Sequence, residues 1–121
     1  MQELPFYNEE GRLIRKEIAH WNSSSNQWED QRKTEYQRDE NGNLLSREIF
    51  KWNPELSTWK ANQRASFSIN DQNKPSNVLT EIRDENGWYN QSVDEYEYDA
   101  NGDVIKRKLR RWDKASLSWI P

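Results

Sequence analysis

Apolar and aromatic residues recur at even spacings along most of the chain, with charged residues between them. Ile14 and Ile18 are an even number of positions apart, and so are Trp28 and Tyr36. Even spacing places side chains on one face of a β-strand, and the 3.6-residue period of a helix is absent. The pattern predicts an all-β chain of short strands joined by polar turns, with no helix.

The same pattern returns about every 30 residues, which predicts an array of similar units. Each unit has a first arm that runs from a glycine to a tryptophan, a polar connection, and a second arm that runs from a tryptophan to another aromatic residue. The third copy is degenerate, and the fourth ends within its second arm. One domain over residues 1–121 is predicted, with units at approximately 11–41, 42–74, 75–101 and 102–121.

Asn-Gly pairs mark the ends of several arms, at Asn41-Gly42, Asn86-Gly87 and Asn101-Gly102. These pairs favour type I′ hairpin turns, in which both central residues have positive φ. The predicted fold is therefore an antiparallel β-meander of about four hairpins in a twisted or curled sheet.

A two-residue turn at Asn101-Gly102 fixes which residues face one another across the hairpin. Glu97 then opposes Lys106, and Tyr96 opposes Arg107. The same rule applied to Asn41-Gly42 places Tyr36 opposite Arg47, the equivalent pair in another copy. Glu95 opposite Lys108 adds a second pair of opposite charges. The agreement between copies supports this register and predicts a cation–π contact between Arg and Tyr.

Side chains of the arms divide between two faces of the predicted sheet. Both faces carry apolar residues, so either the sheet curls on itself or the apolar set on the second face meets a partner. The expected core face carries Ile14, Ile18, Leu45, Ile49, Val78, Ile82, Ile105 and Leu109 beside Trp28, Trp59, Trp88, Tyr36, Phe67 and Tyr96. The opposite face carries Leu13, Leu44, Val104, Trp21, Trp52 and Trp112.

The two ends of the chain look like complementary halves of a second arm. Phe6 and Tyr7 resemble the end of one, and Trp119-Ile120-Pro121 resembles the beginning. They could pair within one molecule and close the sheet, or between molecules, because an unpaired edge is a template for strand addition.

Composition excludes several classes of protein. Seven Trp, five Tyr and three Phe argue against disorder, although 32% of the residues are charged. The net charge of −3 disfavours nucleic acid and anionic membranes as partners, and no apolar run is long enough for a membrane span. Without cysteine there is no disulfide or thiol chemistry.

Candidate chemistry is sparse, and we expect no enzyme activity, no cofactor and no metal. His20 is the only histidine and is expected to be solvated at a strand end. The acidic turns are what turn geometry requires and contain too few ligands for a calcium loop. The basic run Lys106-Arg107-Lys108 is expected to pair with the acidic strand at Asp94-Glu95 rather than with nucleic acid.

Tryptophan is the remaining functional signal. Aromatic rings beside Asn, Asp and Glu suit a sugar-binding surface, whereas a recurring Trp also suits a stacked core. The candidates for an exposed ligand or partner surface are Trp21, Trp52 and Trp112.

The turns Tyr98-Asp99-Ala100-Asn101-Gly102-Asp103-Val104, Arg38-Asp39-Glu40-Asn41-Gly42-Asn43-Leu44 and Tyr7-Asn8-Glu9-Glu10-Gly11-Arg12-Leu13 resemble the core of YD repeats, as in Rhs and teneurin shells. The Trp-Asn connection from Trp21 to Trp28 and from Trp52 to Trp59 is absent from YD repeats. The whole unit resembles small exported gut-bacterial repeat proteins of uncharacterised function. That resemblance implies a secreted, periplasmic or cell-surface β-meander and supplies no catalytic residues.

The expected function is a noncatalytic exported module that mediates binding or assembly at a bacterial surface. Its partner would be a protein or a glycan, with self-association through the terminal edge strands as a further possibility. The alternative is a carbohydrate-binding module that uses a row of exposed Trp. A glycosidase-like enzyme is a remote alternative, which would need two carboxylates held about 5–9 Å apart in a cleft.

Overall fold

The computed structural model describes residues Met1–Pro121 as nine β-strands and no helix. Four of the strands have ten residues and three have twelve, whereas the first and last strands are shorter. The strands are β1 (Gln2–Tyr7), β2 (Leu13–Asn22), β3 (Gln27–Arg38), β4 (Leu44–Asn53), β5 (Thr58–Ile69), β6 (Pro75–Asp84), β7 (Gly87–Tyr98), β8 (Val104–Asp113) and β9 (Ser118–Ile120).

All nine strands form one antiparallel sheet in the order of the sequence, from β1 at one edge to β9 at the other. This arrangement confirms the predicted all-β meander. The edge strands β1 and β9 do not pair with each other, so the sheet is open. Closure within one molecule, one of the two alternatives for the terminal strands, is not formed.

The glycine turns differ from the predicted type I′. At the β3–β4 turn, Gly42 N–H donates to the carbonyl of Asp39, and Asp39 N–H donates to the carbonyl of Asn43. Gly42 has φ of 87°, but Asn41 has no positive φ. This geometry is a type I turn followed by a left-handed glycine, a longer hairpin loop than the two-residue one. The type I′ prediction is therefore wrong at this turn.

The predicted cross-strand partners are nevertheless correct. Tyr36 opposes Arg47, Tyr96 opposes Arg107, and Glu97 opposes Lys106. The guanidinium of Arg107 lies 5.8 Å from the centre of the Tyr96 ring, as expected. Over Tyr36 the cation is instead Arg38, at 5.9 Å.

The predicted division of side chains between the faces is wrong for three of the six tryptophans that it assigned. In the β2–β3 pair, Ile18 opposes Arg32 whereas Ala19 opposes Asp30, so Gln31 is an unpaired bulge residue. One extra residue reverses the alternation of side chains along a strand. Trp28 and Tyr36 consequently lie on opposite faces despite their even spacing.

The same bulge recurs at Asn62 in β5 and at Gln91 in β7. It moves Trp59 and Trp88 to the face opposite Phe67 and Tyr96. One face, here called the tryptophan face, therefore carries all seven tryptophans. The other, the aliphatic face, keeps Ile18, Ile49, Val78, Ile82 and Leu109 with Tyr36, Phe67 and Tyr96.

Little of the chain is buried. Only Ile18 and Ala19 in β2, Thr34 in β3 and Ala65 in β5 are buried. At the far end of the predicted core face, Ile105 is 63% exposed. The sheet is a single layer, because no second layer of structure covers either face.

Candidate binding face

Tryptophans meet in pairs across three of the hairpins. Trp21 opposes Trp28, and their ring centres are 5.5 Å apart with planes at 74°. Trp52 and Trp59 are 5.1 Å apart at 67°, and the last pair, Trp112 with Trp119, is 5.1 Å apart at 73°. These edge-to-face arrangements are favoured by the aromatic quadrupole. Each pair forms an edge-to-face aromatic contact near the tip of its hairpin.

The residue after the first tryptophan of each pair holds the connecting turn. Asn22 Oδ1 accepts hydrogen bonds from the backbone N–H groups of Ser24 and Ser25. Asn53 Oδ1 does the same for Glu55 and Leu56. Such Asx turns satisfy the backbone locally. The Trp-Asn dipeptide therefore places an aromatic ring and closes the turn beside it.

The third hairpin replaces one tryptophan by arginine. Trp88 opposes Arg83, and the guanidinium of Arg64 lies 4.1 Å from the centre of the Trp88 ring. Arg64 also donates two hydrogen bonds of 3.0 Å to the carboxylate of Glu81, which raises the pKa of Arg64. This paired contact covers part of Trp88.

A cleft of about 680 Å³ separates the tips of the first two long hairpins. Trp28 and Trp52 line it, and Glu29, Asp30 and Gln31 add polar groups. The two hairpins diverge here, because β3 and β4 pair only as far as Arg32 opposite Lys51. Trp28 is 46% exposed in this position. The cleft thus combines an accessible aromatic ring with carboxylate and amide groups.

The predicted surface residues Trp21, Trp52 and Trp112 all lie on the tryptophan face. Trp21 is 51% exposed, and Trp52 and Trp112 are half-buried. Sequence reasoning missed the other members of the face, Trp28, Trp59, Trp88 and Trp119. The one available signal was the pairing of two tryptophans at the ends of a short connection, which makes them direct cross-strand neighbours.

The side chains considered for catalysis or metal binding either contact a structural partner or are isolated from one another. His20 is exposed and opposes Glu29. Asp39 has a lowered pKa because the Asn43 side chain and nearby backbone N–H groups donate to its carboxylate. Asp84 has a lowered pKa because Lys114 donates to it at 2.7 Å. No group of three or more metal-ligating side chains converges in the structure.

The basic strand β8 faces acidic neighbours, as the sequence indicated. Arg107 lies 2.9 Å from Asp94, and Arg110 lies 3.9 Å from Glu95. The Asp94 hydrogen bond raises the pKa of Arg107. No helix in the structure has the length and apolar character that a membrane crossing requires.

The fold and this face define a single-layer antiparallel meander with aromatic pairs at its hairpin tips. The sequence matches no protein-family model and no curated protein. Among solved structures it is similar to a protein of unknown function from Bacteroides fragilis, with 18% identity and a TM-score of 0.77 over 98% of this chain and 87% of that one.

Two proteins of the DUF3836 family are also similar in fold. The one from Bacteroides vulgatus has 14% identity and a TM-score of 0.54 over 89% of this chain and 95% of that one. The one from Parabacteroides distasonis has 15% identity and a TM-score of 0.51 over 99% of this chain and 88% of that one. These neighbours agree with the resemblance to uncharacterised gut-bacterial proteins.

Proposed function

We propose that this chain is a noncatalytic exported module that binds a partner at a bacterial surface through its tryptophan face. The observation that carries the proposal is the collection of all seven tryptophans on one face of a single-layer sheet. Trp and Tyr supply large contact area and are enriched at binding hot spots. The bulges at Gln31, Asn62 and Gln91 place Trp28, Trp59 and Trp88 on this face beside the other four.

The charged groups support a noncatalytic role. Asp39, Asp84 and Asp113 each hold a turn by accepting backbone hydrogen bonds. Arg64 and Arg107 are engaged with carboxylates of neighbouring strands. These charged groups stabilise the hairpins through hydrogen bonds and ion pairs. We therefore assign recognition to the tryptophan face.

A capture experiment tests this proposal. The immobilised chain is exposed to solubilised envelope components from Bacteroidales cells, in parallel with Trp52→Ala and with Ile105→Ser on β8. We expect Trp52→Ala to lose the captured material and Ile105→Ser to retain it, because Ile105 is exposed but is not part of the tryptophan face. Equal capture by both variants would contradict the proposal, as would detection of the native protein in the cytoplasmic fraction alone.

Carbohydrate is the second candidate, and the cleft between Trp28 and Trp52 favours it. The apolar face of a pyranose packs on an aromatic ring, while its hydroxyls need polar partners such as Glu29, Asp30 and Gln31. The cleft provides both kinds of group within one volume of about 680 Å³.

A glycan array followed by tryptophan fluorescence titration tests the carbohydrate proposal. We expect Trp28→Ala to weaken binding of any hit by at least about tenfold, equivalent to 1.4 kcal/mol. Trp119→Ala is the matched control, because it breaks an equivalent edge-to-face pair in the last hairpin, far from the cleft along the sheet. Silence across the array, or equal loss in both variants, would contradict a sugar site in this cleft.

A further inference from the structure

The sheet has two unpaired edges. Strand β8 pairs with β9 only at Arg111, Trp112 and Asp113, so its outer side from Val104 to Arg110 has no neighbouring strand. Strand β1 pairs with β2 and has no strand on its outer side. Both edges therefore present free backbone N–H and C=O groups, which can accept another strand.

The strands at the two edges correspond to the two halves of one long arm. The complete second arms β3, β5 and β7 each have twelve residues. Strand β9 matches the beginning of such an arm, because Trp119 opposes Trp112 as Trp28 opposes Trp21. Strand β1 matches the end, because Tyr7 opposes Leu13 as Arg38 opposes Leu44.

The register of the β2–β3 pair shows how the halves fit on β8. By the same register, Pro121 falls at the position of Asp30, which lies opposite Ala19 in the β2–β3 pair. The next residue of β3 is the bulge Gln31, which has no partner on β2. After the bulge, Arg32 to Glu35 of β3 pair with β2, and β1 supplies their counterparts, Met1 to Leu4.

Four new pairs follow when β1 of a second copy occupies this edge. By the β2–β3 register, Met1 of the second copy opposes Leu109, Gln2 opposes Lys108, Glu3 opposes Arg107 and Leu4 opposes Lys106. Strand β9 of one copy and β1 of the next then lie in one arm, on either side of the bulge position, which has no cross-strand partner on β2.

Charge and proline placement agree with this register. The exposed strand β8 is strongly basic, and Glu3 of the second copy lies directly opposite Arg107. Opposite charges at such a position contribute about 0.2–1 kcal/mol. Pro5 falls one residue beyond the last of the four pairs, at the position of Tyr36, which has no partner on β2. Its missing N–H is therefore not needed for the new pairing.

We propose that copies of this chain assemble head to tail, with β1 of one copy added in this register to the open edge of β8 in the next. The two surfaces are different, so the contact is heterologous and leads to an open array or a large ring rather than a closed dimer. This proposal is independent of any ligand on the tryptophan face.

Engineered disulfides test the register, because the natural chain contains no cysteine. The double variant Gln2→Cys with Lys108→Cys places the two thiols directly opposite each other across the proposed contact, at about the Cβ separation that a disulfide needs. The matched control, Gln2→Cys with Lys106→Cys, uses the same strands but separates the thiols by two further residues.

Under oxidising conditions we expect a ladder of covalent dimers, trimers and larger species for the first variant and mostly monomer for the control. We also expect the sedimentation coefficient of the wild-type chain to rise with concentration beyond that of a dimer. A monomeric wild-type chain, a crosslink within one molecule, or an equal ladder in both variants would each overturn the proposal.

Discussion

Gly11 and Gly42 occupy equivalent turns, and a comparison of the two positions distinguishes backbone strain from side-chain crowding. Gly11 and Gly42 have φ of 79° and 87°, a region that residues with a Cβ adopt at a cost. A Cβ on Gly11 would meet no atom within 4 Å, whereas one on Gly42 would lie 2.5 Å from the guanidinium carbon of Arg12. Arg12 donates to the carbonyl of Glu40 in this turn at 3.3 Å.

We expect Gly11→Ala to lower the free energy of unfolding by about 1 kcal/mol, from the left-handed backbone alone. Gly42→Ala should cost the same amount and also displace Arg12, whose flexible side chain limits the extra loss to a few tenths of a kcal/mol. Urea denaturation of the two variants measures the difference. An equal loss in the two variants would show that Arg12 does not crowd a Cβ at position 42.

The acid sensitivity of the chain is expected to arise partly from Asp39. Its folded pKa is below the ordinary value of 3.8 because Asn43 and backbone N–H groups donate to the carboxylate. A lowered folded pKa gives stability that is complete above the ordinary pKa and is lost as the pH falls through the folded pKa.

Asp39→Asn should therefore leave stability at neutral pH nearly unchanged and reduce its fall below pH 3.8. Asn is compatible with the turn, because Asn8 and Asn70 accept the same two backbone hydrogen bonds in the corresponding loops. Urea midpoints measured at neutral and acidic pH give the comparison. If the urea midpoint of the variant fell with acid as steeply as that of the wild-type chain, Asp39 would not contribute to the acid sensitivity.

Elements are where sequence reasoning succeeded and failed most clearly. The strands and the partners Tyr96–Arg107 and Tyr36–Arg47 followed from the apolar spacing and the Asn-Gly turns. The assignment of Trp28 to a face failed, because the bulge residue Gln31 has no sequence signature of its own. An inserted residue leaves the spacing along the chain intact and reverses the face, so periodicity alone cannot detect it.

Removal of one bulge tests this explanation. Deletion of Asn62 should shift Trp59 to the aliphatic face and break its contact with Trp52, with a loss of about 0.5–1.5 kcal/mol beyond the change in buried area. Near-ultraviolet circular dichroism reports the coupling of the two indole rings.

The control substitution Asn62→Ala keeps the backbone residue and should keep the tryptophan signal. It also removes a buried side-chain oxygen that has no hydrogen-bond partner. If the deletion preserved the signal, the bulge would not determine the face of Trp59.

At the scale of the whole molecule, hydrogen bonds rather than a central core hold the fold. Of 71 backbone hydrogen bonds, 63 lie within the strands. The accessible surface is 8616 Å², whereas a compact monomer of 14.6 kDa is expected to expose about 6,900 Å². A single-layer sheet gains little from apolar burial and depends on its ladder and cross-strand pairs.

We expect the single-layer shape to lower the heat-capacity change of unfolding. A compact protein of 121 residues would give about 1.5–1.8 kcal/mol/K. The present chain should fall clearly below that range, because unfolding exposes less new apolar surface. Calorimetry at concentrations where the chain is monomeric measures the value, and a result within the compact range would show that an apolar face is covered in solution.

The lack of a shared core bears on how such a chain can evolve. Each hairpin contacts its immediate neighbours, and successive turns at one end of the sheet are linked directly, as where Asn43 donates to Asn73 and Gln72 donates to the carbonyl of Asp99. A gene duplication that added one hairpin would lengthen the sheet by two strands and repeat these links, with no distant side chain forced to repack. Sheet length can therefore change in whole hairpins, and every added Trp-Asn hairpin would extend the aromatic surface by one more pair.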